Sequence, residues 1–185
     1  KHVPTASTLT IGEGYSRLAE HPEFLDQPLY RDSLEPAEIK RLKGEESPNQ
    51  QKNRWAWWMK VMTPVAQENL KRLNEVGKDI VACGTDQSLG AATHRELELL
   101  AEGGIPAADI IVIATRNAAR FLGKLDELGT IEAGKLADLV LLTADPTKDI
   151  NNAKLIDLVV KDGKVVDRSK LDLPVNRRSS RTESR

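Results

Sequence analysis

Cysteine and histidine are both scarce in this chain, and each shortage narrows the functions open to it. The single cysteine, Cys83, excludes an internal disulfide framework. It fits a reducing compartment, so the cytoplasm is the expected location. It sits within an apolar run, where a small buried hydrophobe is the plain reading. The histidines are His2, His21 and His94, with no His-x-His pair, whereas a catalytic zinc takes about three convergent protein ligands. No apolar run approaches the ~20 residues that cross a bilayer, and the opening residues do not resemble a signal peptide. A formal net charge of -1 supplies no summed field to draw the chain to nucleic acid or to an anionic membrane. Neither is expected as a partner. The length of 185 residues suits one domain, or one and a fraction.

What is present centres on Gly84-Thr85-Asp86. The apolar run Ile80-Val81-Ala82-Cys83 before it has the length and composition of a strand buried on both faces. A glycine then permits close backbone approach, a carboxylate stands where the strand would end, and a short loop from Gln87 to Ala92 leads to a helix. This order is that of a β/α unit, and in β/α barrels the chemistry sits at the C-terminal ends of the strands. Asp86 can equally be a turn former or a helix cap. Thr93-His94-Arg95-Glu96 reads as a capping box for the helix that follows, which stops at Gly103-Gly104.

Elsewhere the residues 11–28 are mixed, with turn signals at His21-Pro22 and Gln27-Pro28. Residues 33–43 have helical spacing, and 44–54 carry almost nothing apolar and read as a solvated loop. Trp55, Trp58 and Met62 recur at the spacing of one helical face; this stripe suits core packing or the wall of a substrate pocket. Thr63-Pro64 reads as the opening of a new helix. Ile110-Ile111-Val112-Ile113 looks like a strand by propensity and like a fully buried helix by the Pro106 start before it. Asp162-Gly163 between Val159-Val160-Lys161 and Lys164-Val165-Val166 is a two-residue hairpin signal. The last ten residues, 176–185, hold four arginines and no large apolar group, a composition expected of a disordered basic tail.

Three ordered blocks resemble the C-terminal part of the metal-dependent amidohydrolase superfamily. They are Gly84-Thr85-Asp86 with the helix from His94 to Gly104, Ala114-Thr115-Arg116-Asn117-Ala118-Ala119-Arg120-Phe121-Leu122-Gly123, and Gly129-Thr130-Ile131-Glu132-Ala133-Gly134-Lys135-Leu136-Ala137-Asp138-Leu139-Val140. Asp145-Pro146 and the run from Val159 to Val165 also fit. The last of the three blocks is similar to the prolidase-like and imidazolonepropionase-like branch. The resemblance implies an α/β fold: residues 1–127 as the C-terminal portion of a (β/α)8 TIM-like barrel, with strands seven and eight, and residues 128–175 as strands of a small composite β-sandwich. Under it, Ile110 to Ala114 belongs to a helix.

The resemblance further implies hydrolysis of a C–N bond in a small amide or peptide-like substrate by a metal-activated water. Asp86 takes the role of metal ligand and general base, and His94 that of a substrate-binding residue. The cofactor implied is a divalent metal, zinc by preference, as one or two ions. Its other ligands in the superfamily are a His-x-His pair on strand one, histidines on strands five and six and often a carboxylated lysine, and none of these is in this chain. Two barrel strands of eight leave unpaired edges. The residues are therefore expected to belong to a longer polypeptide or to need a complementing chain, in a homo-oligomer. The alternative is a non-catalytic assembly module that keeps the barrel end without a metal site.

Overall fold

The computed structural model describes residues 4–87 and 89–174. His2 and the basic tail lie outside the described residues. Two short strands, β1 (Thr5–Ser7) and β2 (Val81–Cys83), pair in parallel with Ser7 opposite Cys83. Parallel strands need a long crossover. Here it comprises α1 (Leu9–Glu20), the short helices α2 (Pro28–Arg31), α3 (Pro36–Arg41) and α4 (Ser47–Gln51), and the long α5 (Arg54–Val76). After β2 come α6 (Gly90–Glu102), α7 (Ala107–Val112) and α8 (Ala118–Phe121), the last two joined through a π-helical turn at Ile113–Asn117. Further along the described chain comes an antiparallel sheet of β3 (Leu139–Leu142), β4 (Ile156–Lys161) and β5 (Lys164–Val165), in spatial order β3-β4-β5.

The main core gathers Val81 of β2 with Leu70 of α5, Leu97, Leu99 and Leu100 of α6, and Ile110 and Ile113. Ile110 and Ile113 are completely buried, and the segment is helical although its β-branched residues favour a strand. A helix surrounded by apolar neighbours needs no polar face, so its sequence loses the helical period. Asn117, also buried, donates its amide to the carbonyls of Lys78 (2.7 Å) and Val81 (2.8 Å), tying the π-helical turn to β2. The hairpin between β4 and β5 forms as its turn residues require. Asp162 and Gly163 both take left-handed backbone, φ 50° and 73°, as a type I′ turn demands.

Four local expectations give way to tertiary contacts. Most of residues 44–54 is not a loop: a π-helical turn and α4 occupy it up to Gln51, and only residues 52–53 link α4 to α5. Arg41 pairs with Glu46 there, and Gln51 donates to the Ala19 carbonyl at 3.0 Å. Thr63-Pro64 opens nothing, because α5 runs through it from an Asn53 cap whose side chain accepts from the Trp55 amide. The tryptophan stripe is not core. Trp55 and Trp58 are 51% and 46% exposed, Trp57 is 59% exposed, and α5 packs instead through Ala56, Met59, Ala66, Leu70 and Leu73. Residues 11–20 are α1, a continuous helix that the turn signals around it had masked.

Candidate active site at the ends of the paired strands

Gly84 follows β2, and its amide donates to the Ser7 carbonyl at 2.9 Å. A Cβ at this position would lie 2.8 Å from that same backbone oxygen, so the two strand ends approach closely only because residue 84 has no side chain. The chain then turns sharply at Asp86, which is exposed and has φ 52°. Left-handed backbone is unfavourable for most L-residues and tolerated by Asp and Asn. Neighbours on both sides hold this turn. The Thr85 hydroxyl accepts from the Gln87 amide (3.2 Å), and the Gln87 side chain donates to the Thr10 carbonyl (3.1 Å).

Thr10 belongs to the first turn of α1, and its anchor is Glu96. The Glu96 side chain is fully buried and accepts from the amides of Leu9 (3.0 Å) and Thr10 (2.8 Å). The Thr10 hydroxyl lies 3.0 Å from the same carboxyl and 3.1 Å from the Thr85 carbonyl, so its one proton serves one of the two at a time. The expected capping box is therefore corrected. The helix α6 begins at Gly90, before Thr93, with no side-chain cap, and Glu96 caps the start of α1 instead. The residue type was right for a cap, but the partner is far away in sequence, where local spacing carries no signal.

His94 sits half-buried on α6. Burial disfavours its charged form and the neighbouring Lys154 ammonium adds to this, so its pKa lies below the ordinary value. His21 is near the surface beside Glu23, at 3.2 Å. Cys83 packs against the main core, and burial, with a further contribution from Glu96, pushes its thiol up to about 12. Ser7, buried at the end of β1, has a hydroxyl without a hydrogen-bond partner among the described residues. Its register places it on the same face as Cys83, which is the face turned to the helices. Among the described residues no group of three or more His, Cys, Asp or Glu side chains could hold a metal ion. Asp86 and His94 are not joined into such a set, and these residues alone do not fit the expected metal.

Beside the Asp86 turn lies a cavity of about 390 Å³ between α1, the short helices and the start of α6. Gln87, Thr10, Tyr30, Phe24 and Leu34 are among the residues that line it. Nothing in the sequence spacing pointed to it, because it forms between segments that meet only in the fold.

Residues 59–166, more than half of the chain, match the Amidohydrolase family, and the chain belongs to that family. Membership implies a TIM-barrel-like fold, and the described chain is of mixed α/β character. The chain is 34% identical over 96 residues to a 5-methylthioadenosine/S-adenosylhomocysteine deaminase of Moorella thermoacetica, covering 41% of this chain and 22% of the relative. It is 33% identical over 106 residues to an imidazolonepropionase of Shouchella clausii, covering 53% and 24%. Among solved structures, a candidate prolidase from Bifidobacterium longum superposes with a TM-score of 0.52 at 30% identity, covering 70% of this chain and 31% of that one. The chain thus spans less than a quarter of the length of these curated relatives. Among the described residues, no helix is long and apolar enough to cross a membrane.

Proposed function

We propose that this chain is part of a metal-dependent hydrolase that cleaves a C–N bond in a small amide, with Asp86 as metal ligand and proton-handling carboxylate. The reading is carried by one observation: in a chain of this family, a carboxylate stands just beyond the C-terminal end of a parallel strand, the end where barrel chemistry gathers. On this reading β1 and β2 are the seventh and eighth barrel strands. Residues 1–127 close the barrel, residues 128–175 contribute to a β-sandwich, and the remaining strands come in cis or in trans within a homo-oligomer.

The metal needs donors beyond the described residues. When bound, a divalent ion such as zinc supplies an acidified water and a polarised carbonyl. The part that this chain's own residues perform is proton transfer. Asp86 is exposed, so a water can reach its carboxylate, and a carboxylate there can accept the water's proton and return it to the departing nitrogen. The bonds from Thr85 and Gln87 to their neighbours hold the turn still, which matters because misplacement of a proton-transfer group costs rate steeply. His94, kept uncharged, is the proposed substrate-facing hydrogen-bonding group.

Asp86→Asn in the assembled enzyme tests the reading. Asparagine tolerates the left-handed backbone at 86, so the fold is retained, while turnover falls by about 10³-fold, within the usual range for a lost acid–base group. Turnover close to that of the unaltered enzyme would refute the assignment.

A further inference from the structure

Two glycines stand two residues apart in α1, on roughly opposite faces of the helix, and they have different reasons for being there. A Cβ on Gly12 would meet the Met59 sulfur at 3.0 Å, so close packing of α1 on α5 accounts for it. A Cβ on Gly14 would meet only the terminal amide of Gln87, at 3.4 Å, an ordinary contact. Glycine weakens a helix interior relative to alanine, and protein packing does not require it at 14. What Gly14 does is leave open the wall of the cavity beside Asp86.

That cavity's volume of about 390 Å³ lies within the range of small-molecule sites, about 300–1,000 Å³. Its walls decide the chemistry of an occupant. Leu18, Phe24, Leu25, Leu34 and Leu89 supply apolar surface. Three arginines also border it, and each already has partners: Arg95 and Arg41 carboxylates at hydrogen-bonding distance, and Arg17 the Tyr30 hydroxyl, to which it donates at 3.2 Å. Arg95 pairs with Glu13 at 2.9 Å, Glu98 at 2.9 Å and Glu102 at 2.6 Å. Arg41 pairs with Glu38 at 2.8 Å and Glu46 at 2.6 Å. Arg17 lies 3.9 Å from Glu13 and stacks over the Phe24 ring, 4.3 Å from its centroid. An anion entering here would have to displace a carboxylate from Arg41 or Arg95, or pull Arg17 from the Tyr30 hydroxyl and the Phe24 ring, and a cation would meet carboxylates already neutralised. Either charge would be desolvated without compensation.

We propose that this cavity is a specificity site for an uncharged, mainly apolar or aromatic group, and that Gly14 sets its depth. That the group belongs to the substrate rests on the hydrolase reading above; the binding itself does not.

The test is titration of the assembled protein, followed by ligand-observed NMR, with N-acetyl-L-phenylalaninamide, its anionic counterpart N-acetyl-L-phenylalanine, and the cationic N-acetyl-L-lysinamide. The neutral aromatic probe is expected to bind at least about tenfold more tightly than either charged one. Gly14→Leu should lower its affinity by about tenfold or more while the melting temperature holds or rises, since leucine favours the helix. Leu34→Trp, filling the space from another lining position, should give the same loss. Charged probes binding as well as the neutral one, or full affinity in both filled variants, would overturn the proposal. In the assembled enzyme the two readings fail separately. Selective binding with full turnover in Asp86→Asn removes the hydrolase assignment alone. Turnover that depends on Asp86 but is indifferent to substrate charge and to Gly14→Leu removes the pocket alone.

Discussion

Glu96→Gln is the substitution whose effect the fold specifies most closely. The carboxyl is fully buried and serves two backbone amides at 3.0 and 2.8 Å and the Thr10 hydroxyl at 3.0 Å. Glutamine preserves the shape but has one acceptor oxygen in place of two, and its amide nitrogen confronts a donor. A buried donor left without an acceptor costs about 1–3 kcal/mol, and loss of a helix N-cap about 0.5–2 kcal/mol. Because these two descriptions overlap at the same amides, the combined loss is about 2–3 kcal/mol, a large fraction of the ~5–15 kcal/mol that stabilises a typical domain. Glu102→Gln serves as the control, because its side chain is 53% exposed and its pairing is with Arg95 at the surface, worth at most about 1 kcal/mol. Urea unfolding of the assembled protein at neutral pH, followed by far-UV circular dichroism, separates the two. If Glu96→Gln were no more damaging than Glu102→Gln, the tertiary cap would not be what fixes α1 to α6.

Three further outcomes follow from the same geometry. Gly84→Ala places a methyl 2.8 Å from the Ser7 carbonyl and forces the strand ends apart; a loss of about 1–3 kcal/mol in the same unfolding assay is expected, and an unchanged midpoint would contradict the close approach. Burial, then Lys154, holds the folded pKa of His94 below its ordinary 6.5, so the unfolded chain takes up the proton first as pH falls. The stability linked to His94 is complete above pH 6.5 and lost as pH falls through the lowered folded value; His94→Gln should flatten that limb of the stability profile, and an identical profile would count against it. Cys83, with its thiol pushed up to about 12 by burial, should resist iodoacetamide at pH 8 in the folded chain and react once unfolded; rapid native-state labelling would show the site to be open.

The sequence signals that survived into the fold are those whose cause is local. Asp162-Gly163 forms its hairpin because the turn needs left-handed backbone and those residues accept it. The strand before Asp86 forms, shortened to Val81–Cys83, because an apolar run of that kind is stable only when covered. Signals that depend on a partner did worse. The period of Trp55, Trp58 and Met62 identifies a helical face correctly but cannot say what covers it, and the face that α5 buries is the neighbouring one, through Ala56 and Leu70. Glu96 is at the right spacing to cap its own helix, yet α1 claims it. Asp86 itself was legible as a carboxylate after a strand. Its left-handed turn, its tethers through Thr85 and Gln87 and the cavity next to it arise from contacts between α1 and the β2–α6 loop, which no window of sequence contains.

Asp86 is proposed to face a catalytic cation in the assembled protein. Anomalous scattering at the zinc edge, from crystals of the assembled, zinc-loaded protein, tests it most directly. A peak is expected about 2.0–2.2 Å from a carboxylate oxygen of Asp86, the distance of a zinc–carboxylate bond. A bound ion lying well away from Asp86, with its coordination completed by other groups, would contradict it.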